Sequence, residues 1–216
     1  MNSKKRRNIL LVCALLINLF VYYGTRLITH EGGFFCFAMP LDDSIPVIPW
    51  TLLIYGGAYL FWGVNYYLCI TYEKSGHNRY FIAHVIGEAV CFLAFIFLPS
   101  TFDRPEAVGS GFFDRLLKLL YSIDSPDNLL PSIHCYLSWL CWIGTRKNSH
   151  IPKWYQYTSL AIAVAICIST LTVKQHVIAD VITGILLAEL SYLAAGYVGR
   201  FLKSRHLIRK EHSYEQ

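Results

Sequence analysis

Two long apolar segments of this chain, residues 154–173 and 177–199, meet at the sequence STLTVKQHVIAD, residues 169–180. A segment of ~20 apolar residues is long enough to cross a bilayer. Charged side chains at the end of such a segment are costly unless they have a partner or a task. The stretch therefore predicts two helices joined by a polar turn, and it marks that turn as a candidate functional site.

Within this stretch, the spacing of His176 and Asp180 predicts a pair. The two residues are four positions apart, which places them on one face of a helix that begins the last apolar segment. A carboxylate there can accept a hydrogen bond from one imidazole nitrogen. This fixes the tautomer and leaves the other nitrogen free to act as a nucleophile or base.

A second motif, LPSIH at residues 130–134, opens a shorter apolar segment. Pro131 suits the first turn of a helix, where the backbone N–H groups of Ser132 and Ile133 have no intrahelical acceptor. Such groups can hold phosphate oxygens. His134 follows them directly, so we predict that it belongs to the same site.

Two cations accompany the histidines. Arg104 follows the apolar segment 80–99 and carries the planar fork that matches phosphate. Lys174 lies two residues before His176 and supplies a second positive charge.

Composition excludes an ordinary soluble domain. The 216 residues favour a single domain, 55% of them are hydrophobic, and the mean hydropathy is +0.40. The seven cysteines lack metal-type spacing and lie mostly within apolar runs, which indicates neither a disulfide framework nor a cysteine-rich zinc site.

Hydropathy predicts an all-α integral membrane protein, a single membrane domain over residues 1–216 with a basic cytoplasmic tail at 200–216. We expect six spans, at residues 8–28, 47–71, 80–99, 131–145, 154–173 and 177–199. Between spans three and four, apolar residues recur at helical spacing around Arg115 and Lys118, which predicts an amphipathic interfacial helix.

The placement of charge predicts the orientation. Of the 19 lysines and arginines, 14 fall at the N-terminus, in the two short loops on the same side, and in the tail. The positive-inside rule then places both termini in the cytoplasm. With six spans, the candidate residues Arg104, His134, Lys174 and His176 all lie on the extracytoplasmic side.

Two acidic residues inside apolar segments require partners. We expect Glu189 to be a protonated packing contact near Glu88, and His84 to pair with Glu88 four residues later.

Together the motifs resemble the three-part signature of the type 2 phosphatidic acid phosphatase superfamily. The matching residues are Arg104-Pro105, then Pro131 to His134, then Ser169, His176 and Asp180, and the resemblance covers about residues 80–200. That superfamily includes lipid phosphate phosphatases, undecaprenyl diphosphate phosphatases and the phosphotransferases that make inositol phosphorylceramide.

The resemblance implies a role for each residue. His176 would attack phosphorus to form a phosphohistidine, Asp180 would orient it, and His134 would protonate the leaving oxygen. Arg104, with Lys174 and the backbone near Ser132, would stabilise the negative charge. The superfamily uses no metal or other cofactor.

The sequence departs from the usual superfamily pattern at three positions. Phe97 stands where the first motif usually has lysine, Ile133 replaces a glycine, and Thr170 replaces an arginine. Two phosphate-binding cations are therefore absent, and Lys174 is a candidate to replace one of them.

We therefore expect a metal-independent membrane phosphatase that hydrolyses a phosphate ester or diphosphate of a lipid. The alternative is a phosphotransferase that moves a phospho-headgroup between lipids or alcohols, since only the acceptor differs. Other classes are a non-catalytic lipid transporter and a zinc hydrolase using His134, His176 and Asp180. The expected partners are a lipid phosphate and the membrane, with no nucleic acid.

Overall fold

The computed structural model describes residues 3–28, 33–73, 78–105, 109–146 and 148–214. These residues form helices, turns and loops but no strand, apart from two isolated β-bridges that join Phe35 to Ser100 and Thr101 to Asp127. The predicted all-α class is confirmed.

The described residues form eight α-helices: α1 Ser3–Gly24, α2 Pro40–Asp43, α3 Leu52–Thr71, α4 Arg79–Phe97, α5 Phe112–Ile123, α6 Ile133–Thr145, α7 Lys153–Thr172 and α8 Ile178–Tyr214. Short 3-10 turns, Thr25–Leu27 and Pro49–Thr51, follow α1 and precede α3.

Four segments are long and apolar enough to cross a membrane: Lys4–Leu27, Arg79–Phe97, Lys153–Thr172 and Ile178–Ser204. They correspond to four of the six predicted spans, and such helices are typical of a membrane protein. The other two predicted spans are weaker candidates. Helix α3 contains Asn65 and four tyrosines, which lower its hydropathy. Helix α6 has 13 residues; at 1.5 Å per residue that is ~20 Å, less than the ~30 Å hydrocarbon core.

Contacts between helix ends show that the long helices alternate in direction. At one end of the bundle, the Arg7 guanidinium near the start of α1 lies 4.8 Å from the Tyr67 ring near the end of α3. At the other end, the Thr51 hydroxyl just before α3 is 2.8 Å from the Thr172 hydroxyl that ends α7. This second end, called the motif end below, contains the last residues of α1, α4 and α7 and the first residues of α3, α6 and α8.

Helix α6 lies at the centre of the bundle, in contact with α3, α4, α7 and α8. Tyr136, Leu140 and Ile143 on α6 are almost completely buried. Close approach requires glycine at two contacts. A Cβ on Gly87 of α4 would lie 2.2 Å from the Tyr136 hydroxyl, and one on Gly144 would lie 2.6 Å from the Cys69 sulfur. Because α6 is short and surrounded by longer helices, His134 in its first turn is buried.

The outward faces of the outer helices carry large apolar side chains that remain exposed, such as Leu15 and Phe20 on α1 and Leu186 and Leu190 on α8. Soluble monomers rarely expose apolar surface on this scale, whereas a membrane protein presents it to lipid.

Helix α5 forms where the amphipathic helix was predicted. Leu117 is fully buried and packs with Tyr55 and Val173, whereas Phe112 and Leu119 are exposed. The helix therefore covers the motif end of the bundle with one face and leaves apolar side chains on another.

The predicted partner of Glu189 is wrong. Glu189 is held by Arg146, with one N–O distance of 2.6 Å. Glu88 accepts a hydrogen bond from Asn18 Nδ2 at 3.0 Å. His84 and Glu88 do lie together, with Nδ1 of His84 4.0 Å from the carboxylate, but the hydrogen bond of Nδ1 is to the Tyr66 hydroxyl at 2.5 Å.

Candidate active site

A cavity of about 240 Å³ lies at the motif end, between α1, α3, α6 and the residues just before α8. Its wall includes aromatic side chains from α1 and α3, charged groups from Arg26, Asp124 and Asp127, and the two histidines of the sequence motifs, His134 and His176.

His176 and Asp180 form the predicted pair. Nδ1 of His176 is 3.2 Å from Oδ2 of Asp180, and the same oxygen accepts the backbone N–H of Val177 at 3.0 Å. A carboxylate oxygen accepts hydrogen bonds, so the tautomer that donates from Nδ1 suits this contact and leaves the lone pair on Nε2. Asp180 is only 1% exposed. The buried carboxylate therefore holds in place an imidazole that lines the cavity.

His134 lies in the first turn of α6, opposite His176. The two ring centroids are 6.4 Å apart. A phosphorus atom ~3–3.5 Å from a reacting atom of each ring would fit in a gap of this size. The His134 ring stacks on Tyr55, with centroids 4.2 Å apart, and packs against Trp62 at 5.1 Å. These aromatic contacts hold the imidazole in place.

Ser132 is the N-cap of α6 and ties it to α8. Its hydroxyl accepts the Cys135 N–H at 3.3 Å, and its own N–H donates to the Asp180 carbonyl at 3.1 Å. Ser132 is fully buried and lies outside the cavity wall. It thus joins the two helix starts that carry the histidines, and the structure does not place it against a substrate.

Arg104 does not line the cavity itself but contacts Gln175, which does. Its Nη1 donates to the Asp124 carbonyl at 2.6 Å, its Nη2 donates to the Gln175 side chain, and its guanidinium is 5.0 Å from the centre of the Tyr121 ring. Burial lowers the pKa of Arg104 from its ordinary value, and the charge of Asp124 acts in the opposite direction. Arg104 therefore reaches His176 through the neighbouring Gln175.

Lys174 points away from the histidines. Its Nζ donates to the Asp42 carbonyl at 2.7 Å, and the Asp42 carboxylate accepts the Ile178 N–H at 2.8 Å. The backbone of Lys174 is left-handed, with φ of +51°, so the chain turns sharply just before His176. Lys174 and Arg104 both line a separate, neighbouring cavity, and the structure does not bring Lys174 together with the catalytic candidates.

Sequence reasoning missed a group of polar residues on the cavity wall, which come from α1, from the turn that follows it and from the segment after α5. Arg26 Nη2 is 2.7 Å from Asp124 Oδ1, and Arg26 Nε is 2.9 Å from Asp127 Oδ1. The Tyr22 hydroxyl donates to the same Asp124 oxygen at 2.6 Å. The available signal was an arginine at the end of the first apolar segment, whose charge contributed only to the prediction of orientation.

Gln175 was also missed, although it directly precedes His176 in the third motif. It is 2% exposed, its oxygen accepts from Arg104, and its Nε2 has no hydrogen-bond partner among the described residues. His134 Nε2 and Asn128 Oδ1 are likewise buried without a partner in the described part of the chain. Leaving such an atom unpaired costs ~1–3 kcal/mol. Because all three residues line one cavity, a polar ligand bound there would satisfy them.

The described residues hold no group of three or more His, Cys, Asp or Glu side chains placed to bind a metal ion. No protein-family model matches the chain, and neither the curated proteins nor the solved structures give a match.

Proposed function

We propose that the chain is a membrane phosphatase that hydrolyses a lipid phosphate ester or diphosphate through a phosphohistidine at His176. The observation that carries this proposal is the pairing of His176 with buried Asp180 on the wall of a cavity that also contains His134. A fixed nucleophile facing a second titratable group is the arrangement expected for covalent phosphoryl transfer.

The proposed reaction has two steps. Nε2 of His176 attacks phosphorus as the bond between phosphorus and the ester oxygen breaks, and His134 gives to the leaving oxygen the proton that it takes up when the anionic substrate binds. A positioned general acid contributes ~10²–10⁴-fold. His134, now neutral, then accepts a proton from water as the water oxygen attacks phosphorus. This step breaks the phosphorus–nitrogen bond, releases phosphate and restores both histidines.

Charge stabilisation in this proposal comes from Arg104 and from the buried amide of Gln175. The amide accepts from the guanidinium and keeps its Nε2 donor available at the cavity wall. Such preorganised donors act on the charge spread over the transferring phosphoryl group.

The membrane arrangement is part of the proposal. Helices α3 and α6 would complete six spans, since they alternate in direction with the four apolar helices. The excess of lysine and arginine at the opposite end then places the motif end outside the cytoplasm. Helix α5, with exposed Phe112 and Leu119, would lie in the membrane interface and cover the site.

Membership in the type 2 phosphatidic acid phosphatase superfamily is proposed on the same residues. The three motifs lie together at the motif end: Arg104 contacts Gln175, Ser132 contacts Asp180, and His134 faces His176. Motifs far apart in sequence thus contribute to one cluster, as that superfamily's signature implies.

One observation favours transfer as the second candidate function. The cavity wall is rich in apolar and aromatic groups, including Ile133 at the position where the superfamily has glycine. Such a wall disfavours water and suits an alcohol on a lipid as acceptor. The phosphohistidine would be the same in both reactions.

The test uses the purified protein in detergent micelles with phosphatidic acid and a prenyl diphosphate, with and without an alcohol acceptor. We expect phosphate release, or a transferred product when alcohol is present, in the presence of EDTA. His176→Ala should abolish both. His134→Ala should slow ester cleavage but spare an aryl phosphate, whose leaving group needs no proton.

His150→Ala is the matched control. This histidine is exposed at the opposite end of the bundle, where it stacks on Tyr72, so turnover should not change. Turnover by a folded His176→Ala protein would refute the mechanism. Loss of activity in EDTA that zinc restores would support the zinc hydrolase instead.

A further inference from the structure

The cation that lines the cavity with the two histidines, Arg26, belongs to the 3-10 turn that follows α1. Among the residues that the structure describes, Arg26 is the only lysine or arginine that lines the 240 Å³ cavity. Arg104 and Lys174, which the sequence motifs favoured, line the neighbouring cavity. The positive charge in the wall of the histidine cavity therefore lies outside all three motifs.

The Arg26 side chain is held in place but is not saturated. Two of its nitrogens contact Asp124 and Asp127, and Nη2 also donates to the Ser125 carbonyl at 3.1 Å. Nη1 makes no hydrogen bond to a described residue. The guanidinium lies over the Tyr22 ring, 4.3 Å from its centroid. The group is thus oriented from two sides and retains a donor.

We propose that Arg26 is a substrate-binding residue that contacts the anionic group of the lipid and exchanges the carboxylate of Asp127 for a phosphate oxygen. This inference rests on the proposed function. The side chains of Arg26 and Asp127 are 20% and 29% exposed, so water already reaches this ion pair and screens it in part. A guanidinium contacts phosphate through two parallel hydrogen bonds.

The wall beneath Arg26 fits a lipid better than free phosphate. Asn18, Leu19, Tyr22 and Tyr23 on α1 line the same cavity at helical spacing, and eight residues from Asn18 to Arg26 correspond to ~12 Å along the helix. Leu19 and Tyr23 are 41% and 60% exposed, so this wall continues onto the outer surface. A cation above an apolar wall matches a phosphate carried on an apolar chain.

A competing explanation is that Arg26 is only a clamp that fastens α1 to residues 124–128. The clamp and the binding role predict different effects on substrate binding when the charge of Asp127 is removed with and without Arg26. If Asp127 competes with the substrate for Arg26, removing its charge should improve binding, and only while Arg26 is present. A clamp should weaken when either partner is removed.

The experiment is a double-mutant cycle of Arg26→Gln and Asp127→Asn, measured by steady-state kinetics with dioctanoyl phosphatidic acid in micelles. Arg26→Gln should raise KM by ~10- to 100-fold, the range for a charge-assisted contact, and change kcat less. Asp127→Asn should lower KM in the wild-type background and leave it unchanged in the Arg26→Gln background. Arg115→Gln, an exposed arginine of α5 outside the cavity, should leave KM unchanged.

Three results would overturn the proposal. Unchanged KM in Arg26→Gln is the first. The second is an equal decrease of KM by Asp127→Asn with and without Arg26, which would be a general charge effect. The third is loss of thermal stability and kcat in both single variants at constant KM, as a clamp predicts. Should Arg26→Gln fail to fold, Arg26→Lys keeps the charge without the fork and should show an intermediate KM.

A binding measurement separates this inference from the proposed function. Dioctanoyl phosphatidic acid should raise the melting temperature of the wild-type protein more than inorganic phosphate does, and the lipid effect should disappear in Arg26→Gln. If the wild-type protein binds the lipid through Arg26 but releases no phosphate, the proposed function fails and the binding role stands. If the lipid protects both proteins equally or neither, the binding role is wrong.

Discussion

Gly184 on α8 offers a direct test of how the two histidine helices are held together. A Cβ at this position would lie 2.7 Å from the Ser132 carbonyl oxygen, 3.1 Å from Cys135 Cβ and 3.1 Å from the Tyr136 backbone nitrogen. Two of these atoms belong to backbone, which cannot rotate away as a flexible side chain can. Gly184→Ala should therefore push the start of α6 away from α8.

The expected cost follows from two opposing effects. Overpacking of this kind destabilises by ~1–3 kcal/mol, and alanine regains up to ~1 kcal/mol of helix propensity over glycine. We expect a net loss of ~1–2 kcal/mol. The displacement also lengthens the Ser132 N–H to Asp180 carbonyl bond, now 3.1 Å, and separates His134 from His176. A shift of ~1 Å at reacting groups can cost ~10²-fold in rate.

The assay compares thermal unfolding in detergent with turnover of phosphatidic acid for Gly184→Ala and a control, Gly63→Ala. A Cβ on Gly63 in α3 would meet no atom within 4 Å, so the control should be unchanged or slightly stabilised. Wild-type stability and turnover in Gly184→Ala would show that α6 and α8 are not packed as described. A similar loss in both variants would mean that glycine flexibility, not the close contact, is what matters.

Two further predictions concern charge and sidedness. Lys174→Ala should lower the free energy of unfolding by ~1–3 kcal/mol, because it removes the donor to the buried Asp42 carbonyl. It should leave the KM for phosphatidic acid unchanged, and a large increase in KM would show that Lys174 binds the phosphate. The labelling test uses a background in which exposed Cys36 is replaced by serine and the remaining thiols are shown to be unreactive. In intact cells, Ser110→Cys should react with a membrane-impermeant thiol reagent and Ser149→Cys should not. The reverse labelling would place the site in the cytoplasm.

Local sequence patterns were sufficient for the helices and for the pair at the centre of the site. The four-residue spacing of His176 and Asp180 determines their contact within one helical turn. The alternation of apolar and charged residues around Leu117 predicted α5. Both features depend on residues close together in the chain, where helix geometry alone sets the distance.

The partners of the cationic side chains could not be predicted in the same way. Lys174 is held by Asp42, 132 positions earlier, and Arg26 by Asp124, 98 positions later. Such partners are set by how α1 and α2 pack at the motif end, and no periodicity in the sequence reports that. The partner of Glu189 was missed for the same reason, since Arg146 reaches it from the end of another helix.

The most direct test of the central claim is to locate the covalent intermediate. The purified protein would be mixed with phosphatidic acid labelled in its phosphate group and quenched within milliseconds in alkali, because phosphohistidine survives in alkali. The quenched protein would then be digested for peptide mapping. The label should be found on His176, be absent in His176→Ala, and persist in His134→Ala with an aryl phosphate as donor. Label on another residue, or label that survives in His176→Ala, would contradict the proposed mechanism.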